Sequence, residues 1–403
     1  MLHSSIKRIE QFRWMGGTAP GKDKKAALLI PQFNESRNSN FEQRLTYIQQ
    51  IKEEFESKLD VILIDDGSTD ESLEKIRSFI NRTPSPFYVA SVYPNGSKVG
   101  ALYATVLSLS HEFIILSDFD TDIIGLDRFL DHLQPLRKDS SLMGGYFRML
   151  PFEGNGPAFL FQQLEYALLR SLYRWHRKEQ SVPVMPGAGC WYKRKVLTSI
   201  YQKHSGLRNG EDREATLLGL KMGYKTQYMS NVMTLTRPPL TFKALVKQRT
   251  RWYLGYLETL HKEKAYYYTQ IRKRTAMGVR TLLDIIIVSL ILLIPPVLLI
   301  TGVMNLLASL SLLLGIYACY VVGSFHLILT TPAETGRLNL KMLHTVLLFP
   351  AMKISLEYLA WIKALLAFGN KRRHYSYKSL NITEIYTYQQ VAGQTQAELA
   401  TLL

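Results

Sequence analysis

Two aspartates stand one residue apart at the end of an apolar run: Asp118-Phe119-Asp120, closing EFIILSD. Carboxylates at i and i+2, in a turn after a strand, can converge on one divalent cation. Mg2+ and Mn2+ are hard ions that accept carboxylate together with phosphate oxygens. Surface turn acids give the same pattern, and Asp120 with Asp122 makes a second register of it. A further acidic group, Asp65-Asp66-Gly67-Ser68-Thr69-Asp70, follows another apolar run. Asp-Gly is turn chemistry, and Ser68 or Asp70 can cap the next helix. An Asp at such a place can also accept hydrogen bonds from a nucleotide's base N–H or ribose hydroxyls. Phe33, in Pro31-Gln32-Phe33-Asn34-Glu35, offers an aromatic face to a base. Glu211-Asp212, in NGEDREA, reads either as helix-start acids favoured by the macrodipole or as a general base at the mouth of a site. Gln248-Arg249-Thr250-Arg251-Trp252 sets a guanidinium fork for phosphate oxygens beside an indole face for a pyranose. An Arg/Trp belt at a membrane surface has the same composition.

Such residues need elements to hold them. Apolar runs AALLIP (26–31), DVILID (60–65), FYVASVY (87–93) and EFIILSD (112–118) alternate with helix-like stretches. These stretches cover about Asn40 to Ser57, the chain up to Ile80, and NGSKVGALYATVLSLS. Strands rich in Val, Ile and Phe that alternate with amphipathic helices predict an α/β fold, a mostly parallel sheet with helices on both faces. In such sheets a ligand sits at the carboxyl ends of the strands. PQFNES, DDGSTD and SDFDTD each fall at one of those ends.

The chain has 403 residues, 47% of them hydrophobic and 20% charged, so a sizeable core is available and wholesale disorder is excluded. Forty-nine Lys and Arg against thirty-three Asp and Glu leave a formal net charge of +16. That excess favours a polyanionic partner: nucleic acid, an anionic membrane surface or a phosphorylated substrate. No recognition-helix, zinc-finger or RNP-type pattern accompanies it, so no nucleic-acid partner is expected. Cys190 and Cys319 lie far apart and outside any CxxC pairing, which argues against a disulfide framework or a zinc site. The opening MLHSSIKRIEQFRWMGG has no apolar h-region, so the first half is expected to fold in the cytosol.

From Ile285 to Ala333 no Asp, Glu, Lys or Arg occurs. As one helix this run would measure roughly 74 Å, against about 30 Å of bilayer hydrocarbon, so two crossings are expected. They fall at 281–300 and 305–330, with a break near Gly302–Asn305. A third apolar segment, 341–368, carries Lys353, Glu357 and Lys363, and Lys353 with Glu357 can pair along one helical face. It reads as a third membrane helix or an interfacial one, the second favoured by the basic cluster at Lys371–Arg373. Between Arg237 and Arg280 eleven Lys and Arg stand against two acids, which suits contact with anionic lipid headgroups. The expected organisation is a polar lead-in (1–25), an α/β domain (26–235), a basic interfacial segment (236–280), the membrane segments, and a basic, polar tail (369–403).

Taken in order, PQFNES, DDGSTD, NGSKVGAL, DFD, GED and QRTRW, followed by apolar carboxyl-terminal helices, resemble the membrane-bound family 2 glycosyltransferases. These include the cellulose, chitin and hyaluronan synthases and related glycolipid-forming enzymes. The resemblance covers about residues 26–260 and the membrane region. It implies a GT-A-type nucleotide-diphospho-sugar transferase domain on the cytoplasmic side of a multi-pass protein of the cell membrane. By that resemblance Phe33, Glu35, Asp65 and Asp66 would hold the uridine half of a UDP-sugar donor, and Lys98 would approach the nucleotide or its diphosphate. Asp118 and Asp120 would bind Mg2+ or Mn2+, Asp212 would be the general base, and Gln248, Arg251 and Trp252 would match the QxxRW element near diphosphate and acceptor. The family's usual Thr before Glu-Asp is Gly210 here. The segment MPGAGCWYKR (185–194) resembles the acceptor-side loop only loosely and is assigned no contacts.

The implied chemistry is inverting transfer of a sugar to a polysaccharide or oligosaccharide, with membrane lipids and polysaccharide-export proteins as further partners. Single addition to a lipid acceptor, giving a glycolipid, uses the same motifs and stays open. A nucleotidyltransferase would need an early Gly-rich, Lys-ending phosphate loop, and AALLIPQFNES contains no glycine. A transporter with a degenerate cytosolic domain fits poorly with a complete acidic set.

Overall fold

The structure is a computed structural model and describes residues 9–206, 209–331 and 340–372. These fall into two compact units, 9–148 with 184–235, and 149–183 with 236–372. The strands are β1 Gln11–Trp14, β2 Ala26–Gln32, β3 Leu59–Asp65, β4 Tyr88–Tyr93, β5 Phe113–Leu116, β6 Thr121–Ile124, β7 Leu142–Pro151, β8 Cys190–Lys193 and β9 Lys225–Thr236. The helices begin with α1 Phe41–Glu54, α2 Ser72–Arg82, α3 Ser97–Leu107, α4 Leu126–Leu130, α5 Leu133–Lys138, α6 Gly156–Leu172, α7 Arg174–Lys178, α8 Arg194–Lys203 and α9 Glu211–Lys221. They continue with α10 Phe242–Lys262, α11 Lys264–Arg272, α12 Ala276–Met304, α13 Leu306–Thr330, α14 Leu340–Leu348 and α15 Pro350–Arg372.

The first unit is built on one sheet of order β1-β4-β3-β2-β5-β8-β7-β9-β6. Its centre is parallel: β2 pairs β3 from Ala26↔Leu59 to Gln32↔Asp65, β2 pairs β5 from Ala26↔Phe113 to Leu29↔Leu116, and β3 pairs β4. Strands buried on both faces read as unbroken apolar runs, and every residue of β3 and all but Pro31 of β2 are buried. Leu28, Ile30, Val61 and Leu63 turn one face of the sheet to Phe41, Leu45, Ile48 and Ile51, spaced at helical intervals on α1, and to Ile76 and Phe79 of α2. Helix α3 packs against β2 and β3 as well.

The sheet is mixed where a mostly parallel one was expected. Strand β1 pairs β4, and β8 pairs both β5 and β7, all antiparallel. Parallel pairing needs a crossover between strands, and the flanking strands lie outside the strand–helix alternation that supplies one. The lead-in also differs. Gln11–Trp14 adds an edge strand in which Phe12 is buried and meets Trp14 edge-on, so a partner covers the otherwise open edge of β4. Residues 1–8 of that lead-in, and the tail from 373, lie outside the described residues.

In the second unit, α12 has 29 residues and α13 has 25, and both are long and apolar enough to cross a membrane. Asn305 makes the break between them. Its backbone is extended and its side chain accepts from the Ala308 N–H at 3.1 Å, capping α13. The third apolar segment is two helices, α14 and α15, bent by 63° around Phe349. Pro350 explains the bend: it has no N–H to donate, and it disfavours helical backbone in the residue before it. Small apolar clusters hold the unit together, one joining Phe161 of α6, Leu245 and Val246 of α10 and Leu356 of α15, another joining Leu164 of α6, Ile328 of α13 and Val346 of α14.

Candidate active site

In parallel register the carboxyl ends of β2, β3 and β5 lie side by side, so the loops after them meet. Gln32, the last residue of β2, donates from Nε2 to Asp65 Oδ1 at 2.5 Å and to Ser68 Oγ at 3.2 Å. The Asn34 N–H donates to Ser68 Oγ at 3.0 Å, and the Thr69 N–H to Asn34 Oδ1 at 2.8 Å. The Ser36 N–H and Oγ both reach Asp70 Oδ2, at 3.1 and 2.6 Å. Burial pushes the Asp70 carboxyl up, but the hydrogen bonds from Ser36 and Ser72 outweigh it and hold it down at about 2. This lacing presents Phe33, a large and partly exposed ring, at the end of β2.

Asp65 and Asp66 are both buried. Burial raises the Asp65 pKa against hydrogen bonds from Ser68 and Ser91. Asp66 accepts from the Gly96 N–H at 2.7 Å and from Asn95 Nδ2 at 3.0 Å. Both carboxylates therefore organise loops of the chain itself. Gly67 between those loops has φ +67°, and a Cβ there would lie 2.6 Å from the Asn95 nitrogen, so only glycine fits. The Glu35 carboxyl is raised from its ordinary value, first by burial and then by the nearby Asp120.

The turn after β5 is gripped by one buried guanidinium. Arg44, on α1, donates from Nε to the Phe119 carbonyl at 2.7 Å, from Nη2 to the Thr121 carbonyl at 2.8 Å, and from Nη1 to the Asp122 carboxylate. It also lies over the Tyr47 ring, 4.6 Å from its centre. Asp122 is thus engaged by Arg44, which separates it from the Asp118/Asp120 register. Burial and the like charge of Asp118 raise the Asp120 pKa, with Arg44 opposing.

Lys98, in the first turn of α3, joins the acids of different loops. Its Nζ lies 2.5 Å from Asp118 Oδ1 and 3.7 Å from Glu211 Oε1. These acids hold the ammonium charged far above its ordinary range despite burial. Glu211 and Asp212 form the first turn of α9, where the macrodipole favours carboxylates. Burial, opposed by Lys98 and reinforced by Asp212, pushes Glu211 up to about 7. Gly210, the departure from the family pattern, caps this helix with φ +75°, a left-handed backbone that a β-branched Thr would strain.

Antiparallel pairing of Leu116 with Cys190 delivers the segment before β8 to the same place. The Gly187 N–H donates to Asp212 Oδ2 at 3.4 Å, and a Cβ on Gly187 would sit 3.0 Å from Lys98 Nζ. Behind the charged groups a cavity is walled by apolar side chains such as Val99, Leu102, Met185 and Cys190. The sequence singled out Glu211 beside Asp212 but not its approach to Lys98, and it pointed to neither Arg44 nor Gly187; the paired glycines of MPGAGCWYKR were the one available signal for Gly187.

The donor set suits a hard divalent ion. Among the described residues no group of three or more His, Cys, Asp or Glu stands together as a metal cage. Two carboxylates in one turn leave the other coordination positions to phosphate and water, the usual arrangement for Mg2+. Gln248, Arg251 and Trp252 lie on α10 in the second unit, at the i, i+3, i+4 spacing of one helical face, with Arg251 and Trp252 exposed.

Residues 25–255 match the model of the family described as glycosyltransferase like family 2, more than half of the chain. The chain belongs to that family. This chain is 26% identical over 236 residues to an N-acetylglucosaminyltransferase of Rhizobium meliloti (strain 1021), covering 56% of this chain and 54% of the relative. It is 25% identical over 238 residues to the poly-beta-1,6-N-acetyl-D-glucosamine synthase of Staphylococcus aureus (strain COL), covering 58% and 55%. The chain thus spans about half the length of the curated relatives it matches. Among solved structures, the mannosyltransferase PcManGT from Pyrobaculum calidifontis, in complex with GDP-Man and Mn2+, aligns with a TM-score of 0.48 and 14% identity over 85% of this chain and 87% of that one.

Proposed function

We propose that this chain catalyses inverting transfer of an N-acetylhexosamine from a UDP-sugar to a growing glycan at the cytoplasmic face of a membrane. The observation that carries the proposal is Lys98: one ammonium, 2.5 Å from Asp118 and 3.7 Å from Glu211, brings the acid after β5 and the start of α9 into a single cluster. The N-acetylated sugar is taken from the names of the two bacterial relatives, and the membrane from α12 and α13.

The roles follow from the chemistry. Phe33 and Glu35 receive the uridine, on a wall that Asp65 and Asp66 keep in shape. Asp118 and Asp120 hold Mg2+ or Mn2+, which supplies Lewis-acid neutralisation of the diphosphate when bound. Lys98 and Arg251 add fixed positive charge for the departing UDP. Asp212 accepts the proton of the acceptor hydroxyl as that oxygen bonds to the anomeric carbon from the face opposite the diphosphate. One C–O bond forms, one breaks, and the configuration inverts. Gln248 and Trp252 contribute to the diphosphate and acceptor side.

The test is UDP release by membranes containing the protein, across a panel of UDP-sugars with Mg2+ or Mn2+, followed by product sizing. UDP-N-acetylhexosamine should give the fastest release and a ladder of products. A single lipid-soluble product would replace the glycan acceptor with a lipid, and no release from any UDP-sugar would overturn the proposal.

A further inference from the structure

The apolar third segment carries a charged pair, Lys353 and Glu357, that the proposed chemistry does not use. Both side chains close a ring with the helix that bears Gln248, Arg251 and Trp252. Arg249 of α10, 2% exposed, pairs with Glu165 Oε2 of α6. The other oxygen of Glu165 accepts from Lys353 Nζ of α15 at 2.8 Å. Lys353 also reaches Glu357 Oε1 at 2.5 Å, and Glu357 Oε2 accepts from the Tyr253 hydroxyl, back on α10, at 2.5 Å. Tyr253 is stacked flat on Trp361 of α15, the ring centres 4.2 Å apart. The ring leaves α10 at residue 249 and returns at 253, so it fastens the helix on both sides of Arg251 and Trp252. Its two cations and two carboxylates balance.

Arg249 does more than pair. Its guanidinium lies 4.0 Å from the centre of the Trp252 ring and donates to Gln248 Oε1 at 2.8 Å. A cation over one face of an indole holds that ring in one orientation, here at a site where Trp252 is 42% exposed. We propose that Arg249, held by the Glu165–Lys353–Glu357–Tyr253 ring, is a positioning residue that orients Trp252 and Gln248 for the acceptor. The inference rests on the reading of Trp252 as an acceptor contact. Through this ring α15 belongs to the acceptor platform as well as to the apolar part of the molecule.

The full chain in lipid nanodiscs, labelled with 5-fluorotryptophan, tests this. The Trp252 fluorine signal is assigned by its loss in Trp252→Phe. Arg249→Lys and Glu165→Gln should shift or broaden that signal and raise the acceptor KM about tenfold, a larger change than in the UDP dissociation constant. Lys353→Arg should restore what Lys353→Met loses. Should the buried single variants not fold, the charge-balanced pair Lys353→Met with Glu357→Gln carries the same expectation. An unchanged signal and acceptor KM in the folded ring variants overturn the inference. If Trp252→Ala itself leaves the acceptor KM unchanged, the reading of Trp252 fails instead.

Discussion

The sharpest prediction concerns Arg44, remote in sequence from every acid it serves. Arg44→Met keeps the length of the apolar stem and removes all three donors to the Phe119 and Thr121 carbonyls and the Asp122 carboxylate. Hydrogen bonds to charged groups are worth about 1.5–3 kcal/mol each, and stripping one partner from a buried ion pair costs about 3–5 kcal/mol. The three bonds share one guanidinium and do not add independently, so we expect a loss of about 3–5 kcal/mol. In a domain of this size that lowers Tm by roughly 6–20 °C. The same change frees the turn that aims Asp118 and Asp120. Loss of a group that orients metal ligands weakens metal affinity about 10–100-fold. Titration calorimetry of Mn2+ in the presence of UDP, on protein that stays folded at the assay temperature, reads this directly. Asp122→Asn should stay within about threefold of the parent, because the amide oxygen still accepts from Arg44, whereas Asp118→Asn should abolish binding. Folded Arg44→Met with parental Mn2+ affinity, or Asp122→Asn as damaging as Asp118→Asn, would refute the reasoning.

Three more outcomes are expected. Asp212→Asn should abolish sugar transfer while UDP binding by calorimetry persists, and normal transfer by this variant would remove Asp212 as the base. Glu211 is raised to about 7 from 4.5, so its contribution to stability is complete below about pH 4.5 and is lost as pH rises through 7. Glu211→Gln should therefore gain in Tm over the parent at pH 8 and lose that gain toward pH 4.5, with metal absent; a pH-independent difference contradicts the shift. Gly67→Ala should cost about 1–3 kcal/mol through its left-handed backbone and the clash with Asn95, and should weaken UDP binding along with it. An unchanged denaturation midpoint would show that the two loops relax without penalty.

The strand–helix alternation placed β2 to β5 and α1 to α3 from residue pattern alone, because β2, β3 and β5 are buried almost throughout and α1 and α2 each turn one apolar face to the sheet. The break at Asn305 was equally legible, since an apolar run without charges outlasts one bilayer. Strand β1 and the antiparallel flank were not: short strands such as β8, four residues long, carry too little periodicity to announce themselves.

The site divides along the same line. Residue types and their order along the chain were enough to nominate Asp118, Asp120 and Asp212, because hard-cation and proton-transfer chemistry admit few side chains. Which register of DxD Arg44 takes away, which loop meets Asp212, and what holds Trp252 depended on partners such as Arg44 and Asp122, or Glu165 and Lys353, separated by |i−j| of 78 and 188. Contacts at that separation are made by strand register and helix packing, and one-dimensional spacing carries no trace of them.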